Sequence, residues 1–203
     1  MTPELADKIT RVCDPAKDGW TDAEQGIHMA QSIIDLKHPV SVELGVYAGK
    51  GLVCMALGHK ANGSGKVIGI DPWLPSASVE GQPEDHAKWW AKLDHDRIYN
   101  MAKENVIRYG VSEFAQLVRS KSEDAPVPLE IGVLRIDGNH GPRCIVDVRR
   151  FAPAVVVGGT LYLDDVNWPN GPLQNGADED LADMGFAKIL EIGSTYVFKR
   201  TRK

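Results

Sequence analysis

The chain has 203 residues, 43% of them hydrophobic and 25% charged, the balance of an ordinary globular protein long enough to bury a sizeable core. Its formal net charge of −5 supplies no basic field, which excludes nucleic acid and anionic membrane surfaces as expected partners. No apolar run approaches the ~20 residues of a membrane span, the N-terminal stretch has acidic residues where a signal peptide needs an apolar core, and three scattered cysteines (Cys13, Cys54, Cys144) read as reduced, buried thiols of a cytoplasmic protein.

In chain order, residues 1–38 read as an N-terminal helical segment. Within it, Ile27, Ala30, Ile33 and Ile34 recur at helical spacing behind a cap at Thr21 or Asp22. "HPVSVELG" switches to strand character and runs into Glu43 and Gly45. Residues 49–60 return to helix, "ANGSG" is a turn, and "KVIGID" is a second short strand that ends on Asp71. Residues 72–86, rich in Pro, Ser and Gly, read as irregular. One long helix is predicted to follow through about residue 109, with Ile98, Met101, Ala102 and Val106 as its apolar stripe.

"FAQLVRS", "EIGVLRID" and "GGTLYLDD" are the third, fourth and fifth strands. A helix at about 142–152 separates the last two and stops before Pro153. "VNWPNGPLQNGA" is a loop and a short helix follows it. "AKILEI" and "TYVFKR" are too close together for a crossover, so they form an antiparallel hairpin. Strands alternating with helices imply right-handed βαβ units, hence an α/β, doubly wound, mostly parallel sheet with one antiparallel strand. Ligands of such sheets bind outside the carboxyl ends of the strands, at the topological switch point.

The predicted strand ends carry the chemistry. The first reads E-x-G-x-Y-x-G-x-G over Glu43 to Gly51. Glycines there let backbone approach a ligand, but the spacing is not that of a dinucleotide fingerprint, and a carboxylate before the first glycine suits a cationic group better than a phosphate. A tight packing turn is the plain alternative. Asp71 closes the second strand, where an acid can accept from both ribose hydroxyls, and Trp73 could lie against a purine ring. Turn and core roles are their alternatives. The fourth strand ends in "RIDGNHGP", with Asp137, Asn139 and His140 in four positions.

Taken together these motifs resemble a known family. "VELGVYAGKGLVCMA" looks like the first motif of class I S-adenosylmethionine-dependent methyltransferases, in the catechol O-methyltransferase-like branch where Tyr replaces the middle glycine. "IDGNH" before a helix, followed by "GGTLYLDD", is similar to the macrolide-sugar O-methyltransferase group. "GWTDAEQGIHMAQSI" and "WWAKLDHDRIYN" resemble segments of bacterial relatives, so the likeness covers most of residues 19–198.

The resemblance implies a Rossmann-like fold in a single domain spanning 1–203, with an acceptor-side insert at about 74–100. It implies that Glu43, Gly45, Tyr47 and Gly49 surround the methionine part of S-adenosylmethionine, that Asp71 holds the ribose, and that Trp73 and Ser122 border the adenine, with Ser120 the alternative to Ser122. Asp137, Asp164 and Asp165 would meet at adjacent strand ends, where carboxylates repel unless something positive sits among them. Mg²⁺ or another divalent cation is the expected solution. His140 falls where metal-dependent relatives place their general base. The implied acceptor is a small molecule bearing a hydroxyl, either a sugar or a catechol-like diol. Trp89, Trp90, His86, His95 and Tyr99 would cover the acceptor, one tryptophan inward and the other toward the ligand, with Trp168 opposite. Asp147, Arg149 and Arg150 read as structural ion-pair partners, and His28, His38 and His59 as surface or capping residues. The N-terminal helix is a candidate for self-association into a homo-oligomer. A metal-independent enzyme of the same fold, a nucleotide-dependent oxidoreductase and a non-catalytic cofactor-binding protein are the competing readings.

Overall fold

The computed structural model describes residues 1–202. Two helices open the chain, α1 (Pro3–Val12) and α2 (Ala23–Leu36). Thr2 caps α1 through its side chain, with Pro3 in the first turn, and Asp22 caps α2 by accepting from the Gln25 N–H. The core then alternates β1 (Val40–Leu44), α3 (Lys50–Asn62) and β2 (Lys66–Asp71). Gly63, in the left-handed region, ends α3 inside the predicted turn.

The segment after β2 differs from the expectation. It holds α4 (Pro75–Ser78) and α5 (Glu84–Trp90), and the predicted long helix is divided, its second part being α6 (His95–Arg108). The break has a local cause: the Asp94 side chain accepts from the Arg97 N–H and so starts a new helix. Of the predicted stripe on α6, Ile98, Ala102 and Val106 are buried and Met101 is half-buried.

β3 (Ala115–Arg119), β4 (Ile131–Ile136), α7 (Cys144–Phe151), β5 (Val155–Leu163), α8 (Ala177–Asp183), β6 (Phe186–Ile192) and β7 (Thr195–Arg200) complete the chain. The seven-stranded sheet has the order β3-β2-β1-β4-β5-β7-β6. β7 runs antiparallel to both its neighbours, and the other pairings are parallel. One apolar cluster packs the sheet against α1, α2, α3 and α6, and a second packs it against α7 and α8. The apolar side of α1 belongs to the first cluster, where Ile9 and Val12 are buried, so that face is used within the chain. All three cysteines are free and buried. His59 is fully buried rather than at the surface, its Nε2 3.0 Å from the Ser41 hydroxyl. Among the described residues no helix is long and apolar enough to cross a membrane.

The register positions the site. Glu43 lies beside Arg135, and Arg135 beside Tyr162, across β1, β4 and β5. Side chains alternate along a strand, so Glu43 and Gly45, Arg135 and Asp137, and Tyr162 and Asp164 start out on one face, the face under α2 and α3. The strand order reverses between β1 and β4, and a cavity opens beyond the strand ends at this switch point.

Candidate active site

A cavity of about 170 Å³ opens at this edge. Of the residues predicted from sequence, Gly45, Tyr47, Asp71, Trp73, Ser122, Asp137 and His140 line it. Glu43, Gly49, Asp164 and Asp165 do not.

The turn after β1 is held by Asp71. Its Oδ2 accepts from the Val46 and Tyr47 N–H groups at 2.9 and 3.0 Å, and its Oδ1 accepts from the Trp73 N–H at 2.7 Å. Burial pushes this carboxyl up, and the backbone donors oppose the shift. Gly45 has φ +82, and a Cβ there would collide with the Asp137 carbonyl, so only glycine lets the turns after β1 and β4 meet. Tyr47 and Trp73 adopt left-handed φ of 49 and 43 without being glycine. Trp73 is 1% exposed and donates Nε1–H to the Tyr47 carbonyl at 2.9 Å, which locks the two turns together.

Beneath the cavity lies an ion cluster centred on a residue the sequence reading passed over. Arg135, 2% exposed, donates from Nη1 to Glu43 Oε1 at 2.7 Å. Its Nη2 lies 2.7 Å from Asp137 Oδ2 and 2.8 Å from Asp164 Oδ2. Asp164 also accepts from the Gln25 amide, the Thr195 hydroxyl and the Asp165 N–H. Burial would raise the Asp164 carboxyl, yet Arg135, Thr195 and Gln25 hold it at about 2. Full burial pushes Glu43 up to about 7 against the pull of Arg135. The cationic partner expected for Glu43 is therefore Arg135, and this carboxylate does not reach the cavity. Gly51 makes the pair possible, because a Cβ there would collide with both side chains. Gly49 caps α3 and faces Ala102 of α6, away from the cavity.

His140 stands on the cavity wall, its Nε2 3.3 Å from Asp165 Oδ2. Asp165, with φ 48, also accepts from the Ser194 hydroxyl at 3.0 Å. Burial lowers the His140 pKa and Asp165 draws it part of the way back. The predicted ion-binding set does not fit. Asp164 is turned into the Arg135 cluster with both oxygens engaged. Asp137, His140 and Asp165 do present ligand atoms within 4.8 Å of one another. One Asp137 oxygen is nevertheless bonded to Arg135, and an imidazole is a poor donor for Mg²⁺, which takes oxygen ligands.

Aromatic rings border the mouth. Trp20, 69% exposed, packs on Tyr47 with centroids 5.0 Å apart and on Trp90 at 6.2 Å. Trp20 and Trp90 line the cavity, whereas Trp89 stays exposed 4.9 Å from Trp90, so neither α5 tryptophan packs into the sheet. Trp168 does not line the cavity; it packs at a tilt on the wall residue His140, centroids 5.4 Å apart, and edge-on to His86 at 4.9 Å. Trp20 and Asp147 are cavity residues that the sequence reading did not place there. Asp147 is buried, which pushes it up to about 6 while the Ser122 hydroxyl opposes the shift. Arg149, as expected, pairs with Asp180.

A family model described as a methyltransferase domain matches residues 42–166. Solved structures share the fold. The O-methyltransferase NovP is similar at 22% identity and TM-score 0.68, over 88% of this chain and 79% of that one. The O-methyltransferase TomG from Streptomyces achromogenes, solved with SAM, is 16% identical with TM-score 0.64, over 100% and 92%. An O-methyltransferase from Bacillus cereus, solved with SAH, is 13% identical with TM-score 0.64, over 100% and 92%. No curated protein matches.

Proposed function

Because the chain belongs to the methyltransferase-domain family, whose model spans its whole strand-end edge from β1 to the turn after β5, we propose that it moves a methyl group from S-adenosylmethionine to a hydroxyl of a small, ring-bearing molecule, with His140 as general base. One observation carries the reading: His140, backed by Asp165 at 3.3 Å, opens on the same cavity as the Gly45–Tyr47 turn and Asp137. The donor, when bound, supplies a methyl already activated by its sulfonium, and everything else falls to the chain's own residues.

Gly45, Tyr47, Asp71 and Asp137 form the donor side, with Trp73 and Ser122 at its far wall. Asp71 acts first on the turn, holding its amides in place, so the ribose meets a pre-organised backbone as well as a carboxylate. The acceptor enters beside Trp20 and Trp90 and meets His140, against which Trp168 packs. Flat aromatic faces suit either the ring of a catechol or the C–H face of a sugar. Uncharged His140 takes the hydroxyl proton, and Asp165 stabilises the imidazolium that forms. No step in this sequence needs a divalent ion.

The test is a melting scan followed by a methyl-transfer assay. S-adenosylhomocysteine raises the melting temperature and NAD does not. Labelled methyl then appears on one member of a panel of sugars and phenols. His140→Ala keeps the melting shift and loses about 10²–10⁴-fold in kcat. A wild-type protein indifferent to S-adenosylhomocysteine refutes the reading.

A further inference from the structure

Glu43, Asp137 and Asp164 come from three different strands to meet around one guanidinium. We propose that Arg135 is the built-in cation of this edge, standing where a divalent ion would otherwise have to sit, so that methyl transfer here runs without metal. The proposal rests on the methyl-transfer reading of the cavity above it.

The geometry is made for an arginine. Register puts Arg135 beside Glu43, and strand alternation puts Asp137 on the same face two residues on. The planar fork then reaches Glu43 through Nη1 and both aspartates through Nη2, all at 2.7–2.8 Å. A guanidinium does not lose its proton inside a protein, so this positive charge is permanent. It also repels any cation approaching the same carboxylates. Asp164 has nothing left to offer: Arg135 and Gln25 occupy Oδ2, while Thr195 and the Asp165 N–H occupy Oδ1. Gly51 leaves the space that the Glu43–Arg135 pair fills. Arg135 does not line the cavity. It is a positioning residue, which orients Asp137 and leaves that carboxylate one oxygen for the ligand.

The experiment titrates wild type, Arg135→Gln and Arg135→Lys with Mn²⁺, reading free ion by its paramagnetic resonance signal. Mg²⁺ is titrated in parallel by calorimetry. The melting shift with S-adenosylhomocysteine is recorded for each protein. Wild type and Arg135→Lys are expected to bind neither ion tighter than about 1 mM, and wild-type turnover is unchanged in EDTA. Arg135→Gln uncovers the carboxylates and gains at least about tenfold in Mn²⁺ affinity, a change that a merely structural role would not produce. Stoichiometric ion uptake by wild type overturns the proposal, as does a folded Arg135→Gln that gains none. Where Arg135→Gln does not fold, wild type and Arg135→Lys decide it: uptake by either overturns, and none in both sustains. Absence of a melting shift with S-adenosylhomocysteine refutes the methyl-transfer reading instead, since the ion titrations need no donor.

Discussion

The proposed role of His140 as base requires an uncharged ring. Burial disfavours the imidazolium, and the Asp165 carboxylate restores part of what is lost, leaving the pKa below the ordinary 6.5. The sign follows: below that value the ring is protonated and idle, and above it the lone pair is free. The rate is therefore expected to rise with pH on an acid limb below 6.5 and to be flat through neutrality. A pH–kcat profile of His140→Gln that keeps the same limb would assign it to another group. At this scale the sequence was informative about side chains that stand beyond strand ends, such as Asp71, Asp137 and His140. It was silent about Arg135, which sits two residues before Asp137 inside an apolar run, since whether a strand residue meets solvent, core or an acid depends on what the neighbouring strand places beside it.

Elements divide the work of neighbouring residues in ways a motif hides. Gly49, Lys50 and Gly51 read as one glycine turn, yet each has its own task. Gly49 starts α3, Gly51 admits the ion pair, and Lys50 ties down the segment between α1 and α2. Its ammonium donates to the carbonyls of Asp14, Lys17 and Gly19 at 3.2, 3.1 and 2.7 Å. That segment leads directly to Trp20 at the cavity mouth. Lys50→Met is expected to cost about 2 kcal/mol, because the charged hydrogen bonds of a buried ammonium to three loop carbonyls are lost. It should also raise KM for the acceptor several-fold while leaving S-adenosylhomocysteine affinity alone. Urea midpoints and steady-state kinetics measure the two effects. The α5–α6 break is another feature of this scale: Asp94 is a capping residue in plain view, but helical periodicity on both sides of it masked the stop.

The molecule as a whole closes the site from distant parts of the chain. Gln25 of α2, Glu43 of β1, Arg135 of β4, Asp164 beyond β5 and Thr195 of β7 form one hydrogen-bonded network. Thr195 bonds both Asp164 and Gln25 without touching the cavity. Thr195→Val leaves both partners short of a bond, at about 1–3 kcal/mol. The melting temperature should fall by roughly 2–4 °C per kcal/mol. The shift with S-adenosylhomocysteine should persist, and its disappearance in a folded Thr195→Val would mean the network reaches the donor directly.

From sequence, the strands, their alternation with helices, one reversed strand and the edge on which the cavity opens were all legible, because hydrophobic period and turn chemistry are local properties. The acids at the strand ends were legible for the same reason. Their partners were not. Asp137, Asp164 and Asp165 pointed to an external ion when only the linear order was in view, and register across β1, β4 and β5 set an arginine against the first two of them. Charge balance inside a protein is settled by which side chains share a face within a few ångströms, and only the assembled sheet sets those distances.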